Sequence, residues 1–174
     1  STSLRETRLL LTPAFADTFL KANPLVGAAF VCAFKAGLAD LVAQSRNRDR
    51  KQIDVRRTAS FIVYGALYQG CAQELIYNNF YTWLFGSSTS LRVAVRKVLF
   101  DAVFHNAMVC IPMAYLVKSF VFRFSPRTAI RQYIDDVMHH GLLIKYYAIW
   151  MPTNLLIFTM IPVHWRITVM ACVS

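Results

Sequence analysis

Long apolar runs separated by short charged stretches dominate the pattern of the chain. Four runs are long enough for helices that cross a hydrocarbon core, which takes about 20 mostly apolar residues. They cover residues 24–44, 58–84, 93–122 and 142–173. The runs are continuous, without the alternation expected of membrane β-strands. The pattern predicts an all-α integral membrane protein, in which residues 1–174 form a single domain built as a bundle of four transmembrane helices.

The connections between these runs are short and basic. The segment from Arg46 to Arg57 holds six basic residues against two acidic ones. The longest connection, 123–145, contains Ser125-Pro126, which is typical of a helix start. It predicts a short amphipathic helix from Arg127 to His140. Because the connections on both sides of the predicted bundle are basic, the positive-inside rule gives no orientation.

Composition supports a membrane environment. The chain is 56% hydrophobic and 16% charged, whereas soluble domains have about 45–50% apolar and about 25% charged residues. Its net charge of +10 lies mainly between the apolar runs, where basic side chains can contact anionic lipid headgroups. We therefore expect membrane lipids as partners and no nucleic acid. The four cysteines are far apart and show no zinc-binding spacing.

Small residues recur within the first two predicted spans. Ala29, Ala33 and Gly37 are four residues apart, and Ala66 and Gly70 repeat that spacing. Small residues at this spacing share one helix face and let a second helix backbone approach closely. The spacing therefore predicts tight packing between helices.

Polar residues inside the predicted spans are the candidate functional residues, because such groups are costly at bilayer depth. We call nine of them the polar seam: Asp40, Gln69, Gln73, Glu74, Asn78, Asp101, His105, Asn154 and Arg166. The seam could line a water-filled pore, or it could join helices through hydrogen bonds across the bundle. Asp101 and His105 are four residues apart, which suits a proton relay or a structural polar pair.

Other chemistry is weakly indicated. Asp135, Asp136, His139 and His140 form two Asp–His pairs four residues apart, which could hold a metal ion. A solvated helix face is the favoured interpretation of these pairs. The sequence contains no GxSxG, HExxH, P-loop or GxGxxG motif. We therefore predict that the chain is not an enzyme and has no catalytic residues, no cofactor and no metal.

Three sequence blocks resemble the Mpv/PMP family, small four-span proteins of mitochondrial and peroxisomal membranes. The block Gly37-Leu-Ala-Asp40-Leu-Val-Ala-Gln44 is similar to the family's G-x-x-D-x-x-x-Q. Arg96-Lys97-Val-Leu-Phe-Asp101 is similar to its basic-then-Asp entry into span three. The third block follows W-x-x-x-N-x-x-x-F-x-x-x-P-x-x-x-R with Trp150, Asn154, Phe158, Pro162 and Arg166. Arg57, Gly70 and Tyr77 also fit, so that the resemblance covers about residues 20–170.

The resemblance implies a possible channel for small solutes across an organelle membrane. The implied location is the mitochondrial inner membrane, with a peroxisomal or plastid membrane as the alternative. The chain departs from the family at Cys71, Ala102 and Ala107, where members usually have Pro, Gln and Pro. These departures keep a second interpretation open. The chain would then be a non-catalytic structural or accessory subunit of a larger respiratory or photosynthetic membrane complex, with other subunits as partners.

Overall fold

The computed structural model describes residues 13–46 and 52–174, and every regular element in these ranges is helical. The all-α prediction is therefore confirmed for this part of the chain. The residues before 13 and most of the basic stretch after Arg46 lie outside the described residues. The chain forms two compact units, which are described separately below.

Unit 1 covers the described residues up to Phe80 and resumes over Pro162–Ser174. It contains α1 (Pro13–Ala22), α2 (Pro24–Arg46) and α3 (55–80). Helix α3 is π-helical over Gly65–Ala72 and Leu75–Phe80. A 3₁₀ turn, Val163–Trp165, precedes the last helix of the unit. That helix covers Arg166–Val173, and we label it α8 to keep chain order.

Unit 2 covers Tyr81–Ile161. It contains the short helix α4 (Tyr81–Phe85) and the long helix α5 (Leu91–Phe122). Helix α5 is π-helical over Asp101–Cys110. Helices α6 (Pro126–His139) and α7 (Leu142–Met160) complete the unit.

Local signals account for several helix ends. Asp54 caps α3, because its carboxylate accepts a hydrogen bond of 3.0 Å from the backbone N–H of Arg57. Helix α5 ends where Arg123 adopts a left-handed conformation with φ 58°. Ser125 then caps α6 through a bond of 3.3 Å from the N–H of Arg127. The predicted amphipathic helix is thus confirmed, with bounds one residue earlier at each end.

Only part of the four-span prediction is confirmed. Helices α2 and α5 are long and apolar enough to cross a membrane, and α6 with α7 would make a third span if this pair, bent by 80°, is one broken span. The predicted second span is helical but more polar than α2 and α5, since the seam residues Gln69, Gln73 and Glu74 lower its hydropathy. The described residues therefore hold two or three candidate spans.

The predicted fourth span, residues 142–173, is divided into two helices by a short break. Helix α7 ends at Met160, and Ile161 has extended backbone with φ −93° and ψ 128°. The residue before a proline is disfavoured in helical conformation, and Pro162 has no N–H to donate. Pro152, in contrast, does not end a helix: α7 continues through it.

The surface of α2 shows which side of the helix packs. Val26, Phe30, Phe34 and Leu38 lie four residues apart on one face, and Phe30 and Phe34 are 70% and 64% exposed. The buried residues of this helix are small or polar and include Gly27, Cys32, Gly37, Asp40 and Gln44. Small and polar residues thus face inward while large apolar ones face outward. This is the reverse of a water-soluble helix.

Close packing between α2 and α3 depends on two glycines. A Cβ atom added at Gly70 would lie 2.5 Å from the Cα of Ala29, and one at Gly65 would lie 2.6 Å from the carbonyl oxygen of Cys32. The sequence predicted Ala66 as the partner of Gly70, at a spacing of four. The structure uses Gly65, at a spacing of five, because the π-helical stretch brings residue i+5 to the same face.

Candidate functional site

The structure groups seven of the nine polar seam residues into three clusters, each within one unit. All seven are buried: Asp40, Glu74, Asn78, Asp101, His105, Asn154 and Arg166. The other two, Gln69 and Gln73, are half-buried on α3. Several residues that the sequence analysis did not place in the seam complete the clusters.

The Asp101 cluster lies in unit 2 between α4, α5 and α7. Asp101 is fully buried, with 0% exposure. Its Oδ1 accepts a hydrogen bond of 2.8 Å from the Tyr81 hydroxyl and lies 2.9 Å from Nδ1 of His105. Its Oδ2 accepts bonds of 2.7 Å and 2.9 Å from the amides of Asn106 and Asn154. Four side chains therefore converge on one carboxylate.

The π-helical stretch of α5 makes this convergence possible. In a π-helix the backbone bond runs from i to i+5, so His105 and Asn106 both come close to Asp101 one turn earlier. Two tyrosines support the stretch by donating to its backbone carbonyls. Tyr147 bonds the Ala102 oxygen at 2.7 Å, and Tyr133 bonds the Ala107 oxygen at 2.5 Å. Both alanines occupy positions that depart from the family pattern.

Lys97 adds a buried cation one turn before Asp101. It is buried, and its Nζ lies 5.7 Å from the centre of the Phe158 ring. A cation over an aromatic face is attracted to the ring. Phe158 lies one turn beyond Asn154 on α7, so that α5 and α7 meet through two successive polar contacts. The sequence analysis treated Lys97 as part of a basic entry to the span and did not identify its burial.

The Asp40 cluster joins the end of α2 to the start of α3 in unit 1. Asp40 Oδ2 accepts hydrogen bonds of 2.7 Å from both Gln44 and Thr58, and Oδ1 accepts one of 2.6 Å from Nε of Arg57. Gln44 also accepts a bond of 2.7 Å from the backbone N–H of Asp54. Asp40 and Gln44 of the first family-like block thus connect the end of α2 to the start of α3 through hydrogen bonds.

The Glu74 cluster joins α3 to the C-terminal part of unit 1. The Asn78 amide donates to Glu74 Oε1 at 2.7 Å and to the backbone oxygen of Val163 at 3.1 Å. Arg166 donates to the Asn78 oxygen at 3.3 Å. Arg166 is thus a seam residue whose side chain is buried in this cluster.

Asp17 forms a further polar contact that the sequence analysis missed. Its carboxylate lies 2.7 Å from Lys21 Nζ and 2.7 Å from His164 Nε2, and it accepts a bond of 2.9 Å from the Trp165 indole. The hydrogen bond from Lys21, followed by those from Trp165 and His164, holds the pKa of Asp17 well below its usual range. These contacts tie α1 to the 3₁₀ turn within unit 1.

Among residues 13–46 and 52–174, the side chains of Asp135, Asp136 and His140 could hold a metal ion, since one ligand atom from each lies within 4.8 Å of the others. His140 Nδ1 is 3.1 Å from Asp136 and 3.8 Å from Asp135. His139 pairs with Asp135 at 2.9 Å. These side chains are largely exposed and the imidazoles face carboxylates, so the geometry alone does not assign a metal. The absence of a metal stays a prediction.

Two buried amide oxygens have no hydrogen-bond partner among the described residues. They are Oε1 of Gln69 and Oδ1 of Asn154. A buried acceptor without a donor is costly, and a bound water or another donor would satisfy it. The clusters hold helices together, and the oxygens of Asn154, in the Asp101 cluster, and of Gln69, outside the clusters, are two sites where a further donor could bind.

Comparisons of the chain with protein-family models, curated proteins and solved structures found no match. The resemblance to the Mpv/PMP family therefore rests on the sequence blocks. The blocks coincide with the clusters described above. The first supplies Asp40 and Gln44, the second ends on Asp101, and the third supplies Asn154 and Arg166.

Proposed function

We propose that this chain is an integral membrane protein of an organelle, of the Mpv/PMP type, in which buried polar clusters hold four helical segments together. One observation carries the proposal. Asp101 is fully buried with four side chains around it, whereas Phe30 and Phe34 on α2 are largely exposed. Such an inversion is favourable in a bilayer, where apolar side chains face lipid and polar groups need internal partners.

The four-span arrangement is part of this proposal. Helices α2 and α5 would each cross the bilayer, and α6 with α7 would form a third, bent crossing. The helical segment 58–84 would be the fourth, since its exposed side chains include Val63 and Leu67 while Glu74 and Asn78 are buried. The polar side chains of this segment that are buried then form their hydrogen bonds with other groups of the protein.

The function that the clusters support best is that of a non-catalytic structural subunit of a larger membrane complex. The polar residues bond to one another, and exposed aromatic side chains such as Trp83, 79% exposed, are available to lipid or to partner subunits. We expect the tagged protein to migrate with a larger complex on native gels in mild detergent. Migration at monomer or small-oligomer size only would contradict this role.

A small-solute channel is the second candidate, as the family resemblance implies. The partnerless oxygens of Gln69 and Asn154 support it, as do the π-helical stretches, because such distortions are frequent at functional sites. We expect conductance in planar bilayers that changes in Glu74→Gln, a variant that removes a buried charge. Silent bilayers, or conductance equal in both proteins, would argue against the channel.

The mitochondrial inner membrane is the proposed location, with a peroxisomal or plastid membrane as the alternative. The family resemblance alone supports this choice. Fractionation of cells that express the tagged chain, followed by protease protection in intact and ruptured mitochondria, tests it. Co-purification with peroxisomes or plastids would move the protein to the alternative membrane.

A further inference from the structure

A shallow groove lies at the start of α6. It has a volume of about 440 Å³ and is lined by Pro126, Arg127, Ile130 and Arg131. Arg127 and Arg131 are exposed and one turn apart, and neither guanidinium makes a hydrogen bond or ion pair with another described residue. The groove therefore presents two free cations beside an apolar wall.

The face that carries these arginines becomes apolar farther along the helix. Ile134 and Met138 follow Arg131 at spacings of three and four residues, which keeps all of them on one side of α6. Both are exposed, Met138 by 72%. One continuous face thus offers positive charge in its first half and apolar surface in its second.

The groove also lies close to the end of a candidate membrane span. Helix α5 has 32 residues and ends at Phe122, four residues before α6 begins. A helix of that length is about 48 Å long, which exceeds the hydrocarbon core of about 30 Å and reaches the headgroup layer. The end of α5 therefore suits the depth of lipid phosphates.

We infer that this groove binds one anionic phospholipid of the surrounding bilayer, with its phosphate between Arg127 and Arg131 and an acyl chain along Ile134 and Met138. Guanidinium groups match phosphate oxygens in geometry and charge. The apolar half of the face favours a lipid, whose acyl chain can pack against it. Inorganic phosphate has no apolar group for this contact. The inference rests on the membrane location proposed above.

Native mass spectrometry of the purified full-length chain in mild detergent tests the inference. Phosphatidylglycerol is titrated, with phosphatidylcholine and inorganic phosphate as separate arms. We expect R127Q/R131Q to weaken phosphatidylglycerol binding by about tenfold or more, since the variant removes both guanidinium groups that would donate charge-assisted hydrogen bonds to the phosphate. The matched control is R92Q/R96Q, which removes the same charge from two exposed arginines one turn apart on α5. Its binding should stay within about twofold of the wild type.

Three results would overturn the inference. They are unchanged phosphatidylglycerol binding in R127Q/R131Q, an equal loss in R92Q/R96Q, and inorganic phosphate binding as tight as that of phosphatidylglycerol. Because Arg127 and Arg131 are exposed, both double variants should keep the wild-type unfolding midpoint. Alkaline extraction of wild-type membranes separates the two proposals. If the chain stays in the membrane pellet but the lipid-binding test fails, only the lipid inference is contradicted. If the chain is released into the supernatant, the membrane location itself is contradicted.

Discussion

At the scale of single residues, Asp101 shows how a carboxylate is accommodated inside an apolar chain. Removing a charge from water is expensive unless nearby donors replace its hydration. The hydroxyl of Tyr81 and the amides of Asn106 and Asn154 provide that replacement. The carboxylate in turn fixes the orientation of its donors, which come from three different helices.

Asp101→Ala should therefore destabilise the protein strongly. The substitution leaves several buried donors without an acceptor, and we expect the free energy of unfolding to fall by about 3–5 kcal/mol. Equilibrium unfolding in detergent micelles measures this change. Asp135→Ala is the control, because that side chain is 60% exposed, and it should change stability by less than about 0.5 kcal/mol. Equal effects in the two variants would refute the anchoring role.

The lowered pKa of Asp17 predicts that this carboxylate stabilises the fold less at acid pH. Its pKa in the folded chain is held below the ordinary value of 3.8, mainly by Lys21 and then by Trp165 and His164. A carboxylate with a lowered folded pKa stabilises the fold above its unfolded pKa and loses that effect as the pH falls below it. The wild type should therefore have a higher unfolding midpoint than Asp17→Asn at neutral pH. The difference should shrink below about pH 4, and a difference that is constant with pH would contradict this account.

At the scale of the helices, local signals were readable from the sequence and irregular ones were not. The start of α6 followed from Ser125-Pro126, and the burial of Asp101 and His105 from their position inside an apolar run. The π-helical stretches have no side-chain signature in the pattern, so the pairing of Gly65 with Gly70 was missed. Pro152 and Pro162 both favour a kink in the predicted fourth span, yet the helix continues through Pro152 and breaks only before Pro162.

Other contacts were not predicted because they join segments that are far apart in the sequence. Tyr81 is not among the polar seam residues and Lys97 was interpreted as a basic entry residue, yet both are buried around α5. Two partners of Asp17, His164 and Trp165, lie 147 and 148 residues away along the chain. No local pattern marks such pairs, since they depend on how helices pack in three dimensions.

The contact between α2 and α3 predicts a difference between two glycines. In Gly70→Ala the new methyl would meet the backbone of Ala29 at 2.5 Å, which cannot move aside cheaply. We expect a loss of about 1–3 kcal/mol, measured by unfolding in micelles. Gly27→Ala is the matched control, because its methyl would lie closest to the end of the Leu20 side chain, which can rotate, and no closer than 4.0 Å to any backbone atom of Leu20. A loss in Gly27→Ala as large as in Gly70→Ala would contradict the close backbone contact.

At the scale of the whole molecule, the distribution of polarity is the main result. Within the described residues, the buried set includes twelve polar or charged side chains, among them Asp40, Lys97, Asp101 and Arg166. Large apolar side chains are exposed on helices of both units, for example Phe34 and Phe120. A water-soluble domain has the opposite preference, because burial of apolar surface drives its folding. The distribution fits a chain whose solvent is the interior of a bilayer.

Spin-label accessibility on α2 tests whether this surface faces lipid. In a variant without native cysteines, labels are placed at Phe30 and Phe34 on the outward face, and at Ser88 as an exposed reference in the connection before α5. In liposomes, we predict that labels at Phe30 and Phe34 collide mainly with oxygen, which dissolves in lipid, and little with a water-soluble nickel complex. The label at Ser88 should show more nickel contact. Nickel contact at Phe30 and Phe34 equal to that at Ser88 would contradict a lipid-facing surface.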